Sequence, residues 1–187
     1  MEKRKIRCQE LLKLRVSGTV LFSDEKIFTI KEHLNAQNDR IYAIHAEDIP
    51  LSLRIAQRRQ KPPRVMVWGG ISGCGKTQLI FLESGARLNA QKYIDDILEP
   101  MVTLCNATIF TGKQWIFQQD GAPCHTARVT QNWCQENLPG FISKYFWPPS
   151  SPDLNPMDYF VWSYLEAKVN CQQHASVESL KCSLLKE

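Results

Sequence analysis

The sequence twice places an aspartate after a short run of β-forming residues, in Gly18-Thr19-Val20-Leu21-Phe22-Ser23-Asp24 and in Trp115-Ile116-Phe117-Gln118-Gln119-Asp120. Both runs are rich in β-branched or aromatic side chains, which predicts two strands that each end in an acid. A strand is rigid enough to hold a carboxylate in place at the edge of a sheet. The two segments therefore predict a sheet that presents Asp24 and Asp120 for chemistry.

Further strands are predicted around these two segments. Residues 26–32 alternate apolar and polar side chains, as a half-buried strand does, and residues 65–71 form a nearly continuous apolar run. Residues 79–82 follow a glycine-rich turn and are predicted to be a strand, and residues 141–147 are a fifth strand-like piece. Residues 35–63 carry few periodic signals, which predicts a long loop.

Helices are predicted between and after the strands. Asn89 is a plausible N-cap for a helix in which Pro100 predicts a kink or an early end. Further helical segments are expected at 126–138, at 157–169 and from about residue 176 to the chain end. Strands interleaved with helices indicate one α/β domain with a mixed sheet over residues 17–187, preceded by a basic helix or linker over residues 1–16.

Composition narrows the class of protein. The chain has 187 residues, of which 43% are apolar and 22% charged, as in a globular domain, and its net charge of +4 permits a nucleic-acid partner. It has neither an apolar stretch of about 20 residues nor a secretory signal, so we expect a soluble intracellular protein. The seven cysteines are odd in number and lack metal-binding spacing, which predicts buried, reduced thiols.

A third acid, Asp158, follows the proline- and serine-rich turn at 148–156 and opens a predicted helix. Carboxylates brought together from three parts of one fold can bind one or two Mg²⁺ ions, which prefer oxygen ligands. An aspartate after a strand is more often a turn former or a helix cap. Spacing alone does not establish that Asp24, Asp120 and Asp158 converge.

The residues around these acids resemble the three signature blocks of mariner-superfamily transposases. The blocks are Val20-Leu21-Phe22-Ser23-Asp24-Glu25, the segment from Phe117 to His125, and the segment Trp147-Pro148-Pro149-Ser150-Ser151-Pro152-Asp153-Leu154-Asn155-Pro156-Met157-Asp158. Residues 65–71 also resemble that family, so the likeness runs from about Gly18 to Lys186. It implies a ribonuclease-H-like fold, a mixed five-stranded sheet flanked by helices.

The resemblance implies that Asp24, Asp120 and Asp158 are catalytic and bind Mg²⁺ or Mn²⁺. Asp153 is the alternative third acid, although it looks like a turn residue before the helix. His125 and Asn155 are supporting residues. His125 would either bind a phosphate or order the metal site through a hydrogen bond, unless it only satisfies a local backbone group.

The third block combines features of two branches of the family. Its last acid is Asp158, as in mariner proper, whereas residues 151–156 resemble the branch that ends in glutamate. The 37 residues between Asp120 and Asp158 exceed the spacing typical of both branches. The combination suggests a distinct subgroup.

Two other motifs have weaker functional interpretations. Residues 70–77 match the phosphate-loop pattern GxxxxGK[ST], but the residues that follow predict a strand instead of the required helix, so we expect no nucleotide cofactor. Trp68, Trp147 and Trp162 are predicted to pack in the core. The basic run is either a solvated loop or a DNA-phosphate surface, and consists of Arg54, Arg58, Arg59, Lys61 and Arg64.

The expected function is that of a DDE/D transposase catalytic domain, which cleaves and transfers DNA strands at transposon ends and integrates DNA. DNA is the expected partner and the nucleus the expected location, with no membrane association, and a homodimer is left open. No helix-turn-helix precedes the domain, so we expect a fragment without end recognition. The alternatives are a catalytically silent nucleic-acid-binding remnant and a phosphate-loop nucleotide-binding protein.

Overall fold

The centre of the fold is a mixed sheet of five strands. A computed structural model describes residues 2–13, 19–30, 42–50, 62–82 and 88–187. The strands are β1 (Thr19–Thr29), β2 (Arg64–Ser72), β3 (Gly75–Lys76), β4 (Ile80–Leu82) and β5 (Trp115–Gln118). Strand β1 is central, because it pairs antiparallel with β2 on one side and parallel with β5 on the other. Strands β3 and β4 both pair antiparallel with β2.

Strand β1 is longer than the sequence predicted. The prediction of one strand that ends at Asp24 and a second one at 26–32 is wrong, because β1 runs without interruption from Thr19 to Thr29. Its partner β5 pairs only with Thr19–Phe22, whereas β2 continues along the rest of the strand. Asp24 therefore lies in the middle of β1, just beyond the point where β5 ends.

Residues 141–147 are not a strand. Phe141 makes one parallel bridge to Phe117, and the Ile142 amide donates to the Phe117 carbonyl at 2.8 Å. The chain then turns, because the Phe146 and Trp147 amides donate to the Ser143 carbonyl. These local hydrogen bonds leave no amide row with which the segment could extend the sheet.

Helices cover both faces of the sheet. They are α1 (Glu2–Lys13), α2 (Ala90–Tyr93, a π-helical turn at Ile94–Leu98, then Glu99–Ala107), α3 (Pro123–Thr126), α4 (Arg128–Asn137), α5 (a π-helical turn at Met157–Val161, then Trp162–Val169) and α6 (Val177–Leu184). The predicted N-cap is confirmed, since Asn89 accepts from the Lys92 amide at 2.9 Å. The predicted final helix ends at Leu184, three residues before the last residue of the chain.

Helix α2 does not end at Pro100, so the predicted early end is wrong. Proline lacks an amide hydrogen and normally breaks a helix interior. Here the π-helical turn Ile94–Leu98 comes immediately before it, and Pro100 occupies a first-turn position of the following segment Glu99–Ala107. The Glu99 amide donates to the Ile94 carbonyl five residues back, so the amide that proline lacks falls where the π-helical turn passes into the α-helical one.

The alternation of side chains along β1 divides the core into two layers. Leu21 packs with residues of α2 and β5, including Tyr93, whereas Phe28 on the other face packs with Trp162 of α5 and Leu180 of α6. The predicted core tryptophans are confirmed as buried, with Trp68, Trp147 and Trp162 at most 7% exposed. Because neighbouring strand residues point to opposite faces, Asp24 and Glu25 point into different layers.

All seven cysteines are free, but the prediction that they are buried is wrong for most of them. Only Cys105 and Cys134 are buried, whereas Cys74, Cys171 and Cys182 are exposed. In the described part of the chain, no helix combines the length and the apolar character needed to cross a membrane.

Candidate active site

Asp24 is held between β1 and α5. The indole Nε1 of Trp162 donates a hydrogen bond to its Oδ2 at 2.7 Å. Burial raises the pKa of Asp24 to about 7, and the charges of Asp158 and Glu25 add to this rise while the Trp162 hydrogen bond opposes it. A buried carboxyl group beside two other acids has a strong electrostatic preference for a cation.

Asp158 lies in the first turn of α5 and is exposed to solvent. Partial burial and the charge of Asp120 raise its pKa, whereas hydrogen bonds from Asp24 and Asn155 oppose the rise. The charges of Asp24 and Asp120 therefore both act on Asp158 through space. The predicted opening position of Asp158 in a helix is confirmed.

Asn155 joins the helix start to the strand that carries Asp24. Its side chain is 1% exposed, and its Nδ2 donates to the Ser23 carbonyl at 3.1 Å. Its Oδ1 accepts from the Met157 amide at 3.1 Å, and its carbonyl accepts from the Asp158 amide at 3.0 Å. One buried amide side chain thus sets the position of Asp158 relative to β1.

Asp120 follows β5 by two residues and is fixed by the turn after it. Its Oδ1 accepts from the Ala122 amide at 2.9 Å and lies 2.6 Å from His125 Nδ1. Burial acts to raise the pKa of Asp120, but the hydrogen bonds from His125 and Ala122 prevail and lower it. Asp120 is therefore ionised at neutral pH.

His125 lies beneath Asp120 and connects it to Glu25. The imidazole is 2% exposed, and its Nε2 makes an ion contact of 3.3 Å with Glu25 Oε1. Although burial opposes protonation, the hydrogen bond to Asp120 and the nearby charge of Glu25 raise the pKa of His125 well above its usual value. The Tyr93 ring packs against it with 4.2 Å between ring centroids.

The burial of His125 bears on the interpretations that the sequence left open. A phosphate cannot reach a side chain that is 2% exposed, whereas the hydrogen bond to Asp120 is present. Sequence reasoning assigned no role to Glu25, nor a polar contact to Trp162. The only sequence signal for Glu25 is its place beside Asp24, which puts it on the opposite face of β1.

Asp120 and Asp158 line a common cavity of about 570 Å³. In the described residues, no group of three or more His, Cys, Asp or Glu side chains is close enough together to hold a metal ion. Asp158 and Asp120 open to the same space, and Asp24 is joined through Trp162 to the helix that begins with Asp158. Asp153 lies apart, in the turn Pro152–Leu154, where it pairs with Arg4 at 2.6 Å.

Of the five predicted DNA-phosphate residues, the structure describes only Arg64. Arg54, Arg58, Arg59 and Lys61 lie outside the described residues. Arg64 begins β2 opposite Thr29, five positions from Gly69, which pairs with Asp24. At the usual rise per strand residue, this separation along the strand is roughly 17 Å.

The residues that match the phosphate-loop pattern, 70–77, form a β-hairpin. Strand β2 continues to Ser72, Gly73 and Cys74 form the turn, and β3 returns through Gly75 and Lys76. The Lys76 Nζ donates to the Glu187 carbonyl at 2.8 Å. A phosphate loop opens a helix with its amides, but here the next element is β4.

The fold and the acids at its centre define a class of enzyme. The family model for the DDE superfamily endonuclease matches residues 19–181, so the chain belongs to that family. It is 29% identical over 168 residues to the Tc3 transposase of Caenorhabditis elegans, which covers 89% of this chain and 47% of that protein. It is 32% identical over 128 residues to the Tcb1 transposase of Caenorhabditis briggsae, covering 64% and 43%.

Solved structures confirm the ribonuclease-H-like fold. The chain resembles the crystallised catalytic domain of Mos1 mariner transposase, with a TM-score of 0.69 and 21% identity over 98% of this chain and 78% of that one. It resembles the Mos1 paired-end complex with Mg with a TM-score of 0.73 and 22% identity, covering 98% of this chain and 52% of that one. The chain spans less than half the length of these two curated relatives.

Proposed function

We propose that this domain cleaves DNA strands and transfers their ends, using Mg²⁺ or Mn²⁺ held by Asp24, Asp120 and Asp158. The observation that carries the proposal is the cavity that Asp120 and Asp158 line together, next to Asp24, whose carboxylate is bonded to Trp162 of the helix that Asp158 opens. Membership of the DDE superfamily endonuclease family supports it, as does the structural likeness to Mos1, whose complexes hold transposon-end DNA. Genomic DNA as the partner implies that the protein acts in the nucleus.

The donor set fits a hard divalent cation. All three side chains offer carboxylate oxygens, which Mg²⁺ and Mn²⁺ accept as ligands. Burial and the neighbouring acids raise the pKa of Asp24, and a bound cation would offset the repulsion among these carboxylates. Bound divalent cations would activate the attacking oxygen and stabilise the leaving oxygen.

The remaining residues position these acids for two in-line displacements at phosphorus. In the first, a water oxygen attacks the phosphodiester and the bond to the departing 3′ oxygen breaks, which leaves a 3′-hydroxyl. In the second, that 3′ oxygen loses its proton to solvent and attacks a phosphodiester of the target DNA, and the target bond from phosphorus to its 3′ oxygen breaks, which leaves a 3′-hydroxyl on the target strand. His125 holds Asp120, Trp162 holds Asp24, and Asn155 holds the helix start that carries Asp158. No covalent link to the protein is required.

Nicking of supercoiled plasmid DNA in Mg²⁺ or Mn²⁺ tests the proposal without knowledge of the transposon ends. We expect Asp24→Asn, Asp120→Asn and Asp158→Asn each to abolish nicking. Asp95→Asn is the matched control, because Asp95 is exposed on α2 and bonds only Gln91 among the contacts described. Full nicking by Asp120→Asn would refute the mechanism, and loss of nicking in Asp153→Asn but not Asp158→Asn would reassign the third acid.

The second candidate is the silent nucleic-acid-binding remnant. It is favoured by one observation, the lack of a closed group of three metal ligands among the described residues. A wild-type chain that binds DNA but nicks it in neither metal would support this candidate. Melting in the presence of ATP and Mg²⁺ tests the third alternative, a nucleotide-binding protein. Of the three, only a nucleotide-binding protein would gain thermal stability from ATP.

A further inference from the structure

Two cations share the cavity above the catalytic acids. Arg7 of α1 and Lys144, which precedes the buried Trp147, line it together with Asp120 and Asp158. Arg7 lies outside the family match at residues 19–181. Helix α1 therefore contributes a side chain to the site, although it lies before the residues that match the family.

Each cation is fixed by a main-chain carbonyl. Arg7 Nη1 donates to the Trp147 carbonyl at 2.8 Å, and Lys144 Nζ donates to the Thr126 carbonyl at 3.1 Å. A carbonyl orients a cation without neutralising its charge. Among the described residues, neither side chain forms an ion pair with a carboxylate, so both keep a full charge and further donors toward the cavity.

Arg4 holds α1 in the position from which Arg7 reaches the cavity. Its Nε donates to Ser151 Oγ at 2.9 Å and its Nη2 contacts Asp153 at 2.6 Å, which fastens α1 to the segment before Asp158. Residues three apart lie on the same helix face, so Arg7 also points toward the domain. Arg4 is neutralised by Asp153, whereas Arg7 is not neutralised.

We propose that Arg7 and Lys144 bind a backbone phosphate of the DNA strand that enters this cavity, next to the bond that is cut. The inference rests on the proposed function, since it supplies that site with its DNA contact. Two carboxylates alone would repel a phosphate, and two fixed cations offset this repulsion. Arginine and lysine are the usual phosphate ligands, and such contacts position DNA without reading its sequence.

The test is the salt dependence of DNA binding by the whole chain, measured by fluorescence anisotropy with a labelled duplex in EDTA. EDTA prevents cleavage, so binding is measured apart from catalysis. We expect Arg7→Gln to weaken binding roughly tenfold, as the loss of a charged hydrogen bond does. The slope of log affinity against log salt should fall in magnitude by about 1.

Lys5→Gln is the matched control, because it removes the same charge from an exposed position on the same helix. It should keep the wild-type slope. Lys144→Gln tests the site from a separate element, so the proposal stays testable if Arg7→Gln fails to fold, and Lys144→Arg should restore binding.

Wild-type affinity and slope in folded Arg7→Gln and Lys144→Gln proteins would overturn the phosphate site. Nicking by the wild-type chain would in that case leave the proposed function standing. A different outcome is that DNA binding depends on Arg7 and Lys144 but the wild-type chain does not nick DNA. That result would overturn the proposed function and leave the phosphate site standing.

Discussion

The indole of Trp162 donates its N–H to Asp24 Oδ2 at 2.7 Å, across the interface between β1 and α5. Trp162 follows Asp158 by four residues on the same helix and is 2% exposed. The buried Trp162 therefore links the carboxylate of Asp24 to the helix that carries Asp158. Outer contacts of this kind orient metal ligands and tune metal affinity.

Trp162→Phe should lower the affinity for Mn²⁺ about tenfold, as the loss of an outer hydrogen bond to a metal ligand commonly does. Phenylalanine keeps most of the packing against Phe28 but cannot hold the Asp24 carboxylate. Isothermal titration of Mn²⁺ measures the change. Unchanged affinity would mean that Trp162 is only a packing residue.

Trp68→Phe is the matched control for this variant. Trp68 is also fully buried, but its Nε1 has no hydrogen-bond partner. The substitution removes an unsatisfied donor and a similar volume from the other layer of the core. We expect both variants to lose stability through packing and only Trp162→Phe to lose metal affinity.

His125 should stabilise the fold through its two acidic neighbours. His125→Asn leaves Asp120 and Glu25 facing each other without a cation, which should lower the free energy of unfolding by about 3 kcal/mol. Adding Glu25→Gln removes part of that repulsion, so the double variant should lose less than the two single variants together. Urea unfolding of the four proteins should give a coupling energy of about 1 kcal/mol or more, and strict additivity would contradict the contact.

The positions of the acids were predictable because local patterns determine them. A β-rich run before Asp24, another before Asp120 and a proline turn before Asp158 each define a backbone element. The end of β5 was predictable for the same reason. The continuation of β1 was not, because it depends on pairing with β2, which lies some forty residues later.

The contacts around the acids were not predictable from local patterns. An apolar helix position predicts that Trp162 is buried, and this is confirmed, but its hydrogen bond joins residues 138 positions apart. Because side chains alternate along a strand, Glu25 is expected on the face of β1 opposite Asp24. This pattern does not identify His125 as the partner of Glu25. Burial of cysteine failed as a prediction because residue type sets only an average: Cys171 lies in the turn after α5, and Cys182 occupies an exposed position on α6.

The stability of the metal-free protein should fall as the pH rises from about 4 to 8. Burial raises the folded-state pKa of Asp24 to about 7 from its usual value of 3.8, so the folded state binds more protons in this range. Stability then decreases with pH until the folded carboxyl is ionised. Asp24→Asn should flatten this dependence, as urea unfolding at pH 5 and pH 8 would reveal.

The effect of Mg²⁺ on thermal stability tests whether Asp24 binds the metal. At pH 8 it should raise the melting temperature of the wild-type protein and leave that of Asp24→Asn nearly unchanged, because a ligand stabilises only the state that binds it. Equal stabilisation of both proteins would show that the metal binds elsewhere.

Asn155→Ala should destabilise the protein by about 2 kcal/mol, because it leaves a buried carbonyl and a buried amide without their partner. The groups affected are the Ser23 carbonyl and the Met157 amide, which belong to β1 and to the start of α5. Asn137→Ala is the control, since its side chain is exposed and bonds only the Trp133 carbonyl within its own helix. Because Asn155 sets the position of Asp158 relative to Asp24, its loss should also weaken Mn²⁺ binding. A variant that loses stability but keeps the wild-type Mn²⁺ affinity would show that other contacts are sufficient to hold Asp158 in place.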